Sequence, residues 1–163
     1  MKKIISLLAC LLLMPIVFAG TSYSNVLVNV PLVEKNPSDW SEVTDGAYGV
    51  VTLTEVTAHG KTVQQRARVS VWNLEPKTEY QLIYYGDEEN NDVWPYATCI
   101  GKARKTSTQG YFKSGSYKFD FMDFLVDATP QKLWVVLASD VDCEAGMMTA
   151  WNPAEYLFEH NTI

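Results

Sequence analysis

The segment "TVQQRARVSVW" (62–72) alternates: Val63, Ala67, Val69 and Val71 fall on one side, Gln64, Arg66, Arg68 and Ser70 on the other. That is the period-two pattern of a half-buried strand, and no long segment of this chain shows the 3.6-residue period of a helix. Further strand segments run over 25–33, 47–56, 80–85, 96–103, 110–119, 133–139 and 155–158, each bounded by turn-forming residues. About eight strands joined by short turns predict an all-β fold, an antiparallel β-sandwich. Ala58-His59-Gly60-Lys61 should close a hairpin on a positive φ at Gly60, and Thr108-Gln109-Gly110 should turn the chain again. The stretch 35–46 is a long loop. In "FMDFLVDATPQ", Phe121, Phe124 and Leu125 have helix-like spacing, and Pro130 ends whatever precedes it. Parity in 80–85 places Tyr80, Leu82 and Tyr84 on one face and Gln81, Ile83 and Tyr85 on the other, so at most one of Tyr84 and Tyr85 should be buried.

Residues 1–19, "MKKIISLLACLLLMPIVFA", combine a basic start, an apolar run and a small-residue end, the anatomy of a secretory signal peptide. An uncleaved anchor and a lipoprotein signal ending at Cys10 are the competing readings, and both fit the apolar run less well. Residues 20–163 then form a single domain long enough for a proper core. The 13 lysines and arginines against 19 aspartates and glutamates give a formal charge of −6, which becomes more negative once Lys2 and Lys3 leave. Such a chain is ill suited to nucleic acid or to anionic membrane surfaces, and suits divalent cations or neutral ligands better. No membrane span is expected after the leader. The reading places the protein outside the cytoplasm, secreted or at the cell surface.

Three cysteines become two without the leader, Cys99 and Cys143. An oxidising compartment favours a disulfide between them, while two buried thiols remain the alternative.

Leu74-Glu75-Pro76-Lys77-Thr78-Glu79-Tyr80 resembles the tyrosine corner of fibronectin type III and related immunoglobulin-like domains. The resemblance implies that Leu74, Pro76, Thr78 and Tyr80 are structural, with the Tyr80 hydroxyl bonded to the backbone a few residues upstream. The chain continues far past where a fibronectin domain would end, so the implied sandwich has an elaborated topology. "TEYQLIYYGD", "LWVVLASDVDC" and "MTAWNPAEYLFE", taken in order, resemble a group of small exported β-rich proteins, mainly archaeal. That likeness implies export and fold, and no chemistry.

Two acidic loops hold the oxygens that Ca²⁺ prefers: Asp87, Glu88, Glu89 and Asp92 in the first, and Asp140, Asp142 and Glu144 in the second. Alternation along an extended chain would point the second trio to one side. A Cys99–Cys143 bond would set that trio beside the strand fed by the first loop, although each loop also reads as a solvated turn. Trp94 and Tyr96 are candidates for stacking on a carbohydrate ring, with Trp40, Tyr84, Tyr85 and Trp151 as further members of a platform. Glu155 would serve acid–base chemistry only if a second carboxylate faced it across a cleft. The chain has only two histidines, His59 and His160, and lacks a nucleophile elbow, a phosphate-cradling loop and a zinc-binding helix.

These features favour an exported, non-catalytic protein with a structural or adhesive role among cell-surface components. The alternative is a soluble module that binds Ca²⁺ or carbohydrate. A weaker one is self-association, in which the strand "TSYSNVLVNVPLV" (21–33) is exchanged between copies.

Overall fold

The computed structural model describes residues 23–58, 60–85, 94–118 and 132–160. The leader 1–19, the acidic residues Asp87, Glu88, Glu89 and Asp92, His59 and the segment 121–131 lie outside them. Three long strands, β1 (Tyr23–Glu34), β2 (Tyr48–Ala58) and β3 (Lys61–Trp72), form an antiparallel meander. Ala58 pairs with Lys61, so the loop between β2 and β3 is the expected two-residue hairpin, with Gly60 at φ 73°.

The alternation that defines β3 delivers Ala67, Val69 and Val71 to the core, but Val63 is exposed. The reason is a register shift: Gln64 pairs with Val56 and Thr62 with Thr57, leaving Val63 as the extra residue of a bulge. Leu27 is the corresponding extra residue in β1, between pairs Val26–Thr54 and Val28–Leu53. Beyond these bulges the ribbon carries its apolar side chains in the open.

The remaining strands of the main sheet are β4 (Glu79–Tyr85), β5 (Ala97–Cys99), β6 (Arg104–Lys105), β7 (Phe112–Lys113), β8 (Tyr117–Lys118), β9 (Lys132–Leu137) and β12 (Leu157–Glu159). They join the meander in one ten-stranded sheet of order β5-β4-β9-β12-β1-β2-β3-β7, with β6 also on β4 and β8 also on β3. The β6–β7 connection brings the sheet round on itself. β6 pairs with β4 near one end of the order and β7 with β3 at the other, and a tight turn closed by the Ser107 N–H to the Tyr111 carbonyl at 2.8 Å joins them. Gly110 in that turn has φ 67°, and a Cβ there would lie 2.0 Å from the Leu74 carbonyl oxygen. Only glycine fits such an approach.

Curling encloses a first core that includes Leu32, Val51, Leu53, Val69, Leu82, Leu133 and Val135. On the other face of β4 and β9 lies a second core with Ile83, Tyr85, Trp134, Val136, Tyr156 and Phe158. A small hairpin of β10 (Val141–Asp142) and β11 (Met147–Met148) adds Val141 and Met148 to it. Burial on both faces explains why "YQLIYY" and "LWVVL" are nearly continuous apolar runs. Of the two adjacent tyrosines, Tyr85 is the buried one, stacked on Trp134 at 4.3 Å, and Tyr84 is half-buried against the first core.

β1 pairs with β2 along most of its length, and with β12 only through Leu32, Val33 and Glu34. Among the described residues, no helix is long and apolar enough to cross a membrane.

Candidate functional site

Three connections that are remote in sequence converge over the second core. Trp40 comes from the loop between β1 and β2, Trp94 from the connection between β4 and β5, and Trp151 from the segment between β11 and β12. Trp151 stands at the centre, with ring centroids 6.2 Å from Trp40, 5.4 Å from Trp94 and 5.8 Å from Trp134. Trp40, Trp94 and Trp151 keep 41%, 44% and 40% of their surface exposed. Beneath them Phe158 meets Trp40 edge-on at 5.3 Å, and Tyr156 meets Trp151 edge-on at 5.6 Å. The result is an aromatic face with a buried aromatic floor.

Backbone hydrogen bonds fix the segments that carry Trp40 and Trp94. Trp40 has φ 60°, a left-handed conformation that a bulky side chain rarely adopts. The loop fixes it there: the Trp40 N–H donates to the Asn36 carbonyl at 2.8 Å, and Asp39 accepts from the Ser41 amide at 3.0 Å and hydroxyl at 2.7 Å. Those Ser41 bonds lower the Asp39 pKa. Trp94 precedes a cis peptide bond to Pro95, whose carbonyl accepts the Met148 N–H at 2.7 Å. Tyr96 is exposed, and its backbone bridges to Met147.

The β10–β11 hairpin also carries the disulfide. Cys99 and Cys143 are bonded, with Cα atoms 5.4 Å apart and 44 positions apart in sequence. The bridge ties β5 to the hairpin and so ties the Trp94 segment to the one that leads to Trp151.

The second acidic loop is not the one-sided trio that alternation suggested. A 3-10 turn at Ala138–Asp140 breaks the extended path, and Asp140 turns inward, only 5% exposed. Its carboxylate accepts from the Tyr156 hydroxyl at 2.6 Å, the Asn152 amide at 2.7 Å and the Ser139 hydroxyl at 2.8 Å. Burial pushes the Asp140 pKa up, but the three hydrogen bonds outweigh it and leave the carboxyl below its ordinary value. The same burial, with the bond to Asp140, raises the Tyr156 phenol. Asp142 is exposed and accepts from the Glu144 and Ala145 amides, both at 2.9 Å, while the Glu144 side chain lies in the open. Among the described residues, no three His, Cys, Asp or Glu side chains converge to hold a metal ion.

The resemblance implied a Tyr80 hydroxyl bonded to the backbone upstream; in the Leu74–Tyr80 segment that hydroxyl has no hydrogen-bond partner. Thr106 locks the segment, donating from its hydroxyl to the Glu75 carbonyl at 2.7 Å and accepting from the Thr78 amide at 3.0 Å. The Thr78 hydroxyl donates to the Pro76 carbonyl at 3.2 Å. Leu74 is buried in the first core, and its N–H donates to the Gly110 carbonyl at 3.1 Å. Tyr80 is 1% exposed, yet its hydroxyl makes no hydrogen bond. Burial pushes its pKa up to about 12, helped by Glu155, Glu75 and Glu34; the nearby Glu75 main chain opposes the shift without closing a bond. The ring lines a cavity of about 190 Å³ together with Glu34, Asn73, Glu75, Glu155 and Tyr156. Glu155 thus shares its cavity with two further carboxylates, Glu34 and Glu75, which lie far from it in sequence.

A second aromatic row, Tyr48–Trp72–Tyr111, crosses β2 and β3 with centroid distances of 5.2 and 5.7 Å. Tyr48 and Trp72 are direct cross-strand partners, so sheet pairing alone accounts for their stacking. No such pairing brings Trp40, Trp94 and Trp151 together. Compared with models of protein families, with curated proteins and with solved structures, the chain matches none.

Proposed function

We propose that this protein is an exported, non-catalytic binding domain that adheres to carbohydrate through the Trp40–Trp94–Trp151 face. The convergence of three exposed tryptophans from three separate loops carries the reading. Exposed indole faces suit the apolar C–H surface of a sugar ring, and a rigid aromatic ligates without the entropy cost of ordering a flexible side chain. The left-handed Trp40 supports it, since backbone strain of this kind persists where surrounding structure demands a particular side-chain position. In the same proposal the curled sheet is an elaborated immunoglobulin-like sandwich, the leader exports it, and the compartment is extracytoplasmic.

A glycan array followed by calorimetry with the best ligand tests this. Each stacking ring is worth about 0.5–1.5 kcal/mol, so Trp94→Ala or Trp151→Ala should weaken binding roughly 2- to 12-fold, while Trp72→Ala should not. Absence of binding across soluble and insoluble polysaccharides would sink the proposal, as would affinity indifferent to Trp94 and Trp151.

A further inference from the structure

We propose that the outer face of β3 and its neighbours binds an acidic polysaccharide, a chain of sugars that carry carboxylate or sulfate groups. The net negative charge of the chain hides a strong segregation. Residues 61–72 and 94–118 hold eight of the 13 lysines and arginines and none of the 19 aspartates and glutamates. The sheet brings these segments together, because β7 and β8 both pair with β3.

Register fixes which way the charges point. Ala67, Val69 and Val71 fill the first core, so Arg66, Arg68, Ser70 and Trp72 take the opposite face of β3. Lys118 is the direct partner of Arg66, and Lys113 of Ser70, and paired residues share a face. Glu34 and Glu55, the carboxylates of the meander, have the parity of Leu32 and Leu53 and belong to the other face. Among the described residues, no carboxylate forms an ion pair with Arg66, Arg68, Lys113 or Lys118. Arg66 and Lys118 thus stand directly opposite one another with Cβ atoms about 5 Å apart, an arrangement of like charges that costs stability. An anion between them converts that repulsion into attraction.

The neutral groups on the face select the kind of anion. Arg66 is already oriented, since its Nε donates to Gln64 Oε1 at 2.6 Å and leaves the terminal nitrogens for a carboxylate or sulfate. Thr52 lies opposite Arg68 and Thr54 opposite Arg66. Asn29 Oδ1 accepts from the Thr52 hydroxyl at 2.8 Å, and the Asn29 amide nitrogen keeps its donors for a ligand. Cations interleaved with hydroxyl and amide groups suit a polymer that is both charged and rich in hydroxyls. Tyr48 and Trp72 close the same face at one end. The rings therefore stand beyond the cations and do not alternate with them, as a stacking platform for successive bases would require. The remainder of the chain is acidic, so contact along a narrow strip avoids the repulsion that a broad anionic surface would meet.

Biolayer interferometry on the purified chain tests the proposal, with polygalacturonate as the carboxylate probe and dextran sulfate as the sulfate probe. Neutral dextran, a single-stranded oligonucleotide and phosphatidylglycerol vesicles are the comparisons. Binding to at least one acidic polymer and not to dextran is expected, and it should weaken as NaCl rises from about 50 to 200 mM, because cations on the protein displace the polymer's counterions. An exposed charge pair contributes roughly 1.4- to 5-fold, so Arg66→Gln/Arg68→Gln/Lys118→Gln should weaken binding roughly 3- to 100-fold. Arg68→Gln, at an exposed position, should give the single-pair effect and keeps the test decisive if the triple variant does not fold. Arg66→Lys/Arg68→Lys should retain most of the affinity. Trp94→Ala should leave it unchanged, which separates this face from the tryptophan face. Failure to bind either acidic polymer would overturn the proposal. So would equal affinity for dextran, affinity indifferent to Arg68→Gln and to salt, or tighter binding of the oligonucleotide or the vesicles than of both acidic polysaccharides.

Discussion

Replacing Tyr156 by Phe removes one oxygen and keeps the ring that meets Trp151 and Phe158. That oxygen donates to Asp140 at 2.6 Å and accepts the Asn152 N–H at 3.0 Å, so the variant leaves a buried carboxylate with one donor fewer. A hydrogen bond to a charged group contributes about 1.5–3 kcal/mol, and we expect a loss of about 2–3 kcal/mol at pH 7. At this chain size that corresponds to a melting temperature lower by roughly 4–12 °C. The loss should depend on pH in a defined direction. The Asp140 pKa is depressed below 3.8 in the fold, so its stabilisation is present above the unfolded value and disappears as pH falls through the folded one. As pH falls below the unfolded value and through the folded one, the gap between parent and Tyr156→Phe should therefore narrow towards the ~1 kcal/mol of a neutral hydrogen bond. Urea denaturation at a series of pH values measures it, and a cycle with Asp140→Asn isolates the coupling. A gap under about 0.5 kcal/mol at pH 7, or one that does not move with pH, would refute the account of Asp140 as the charged hub beneath the tryptophans.

Three further outcomes follow from the geometry. Breaking the Cys99–Cys143 bond, which closes a 44-residue separation, should cost about 4 kcal/mol in the loop-entropy picture, read as a lower urea midpoint for the Cys99→Ser/Cys143→Ser chain. Gly110→Ala should destabilise by more than ~3 kcal/mol, since its Cβ would meet the Leu74 carbonyl and its φ is left-handed; thermal melting decides. At position 40, Trp40→Gly should be more stable than Trp40→Ala by about 1 kcal/mol, because glycine accepts φ 60° without strain, and chemical denaturation of the pair tests it.

What could be read from the sequence was the part that periodicity records. Val69 and Val71 alternate with Arg68 and Ser70 because one face of β3 is buried, and Gly60 announced its hairpin. Strand order was invisible: β12 reaches β1 and β9 by pairings far apart in the chain, and no local pattern encodes them. The β10–β11 hairpin escaped because two-residue strands have no period; for the same reason the strand expected over 96–103 shrinks to β5, with β6 just past its end, and the one expected over 110–119 divides into β7 and β8. Asp140 was misplaced because a single 3-10 turn resets the parity on which the acidic trio rested. At Leu74–Tyr80 no local pattern announced that the Tyr80 hydroxyl would be left without a partner. Trp40, Trp94 and Trp151 were each recognisable as unusual, and only the fold could put them side by side.

The tryptophan cluster has an optical consequence. Four of the five tryptophans in the chain lie within it, with Trp151 touching the other three. Indole transitions this close couple to one another, so the far-ultraviolet circular dichroism should carry an exciton couplet laid over the sheet signal. The spectrum of this β protein will therefore look less like a sheet than its backbone is. Its unlabelled fluorescence will report mainly on one small patch of surface, which makes that patch observable in solution without any added probe.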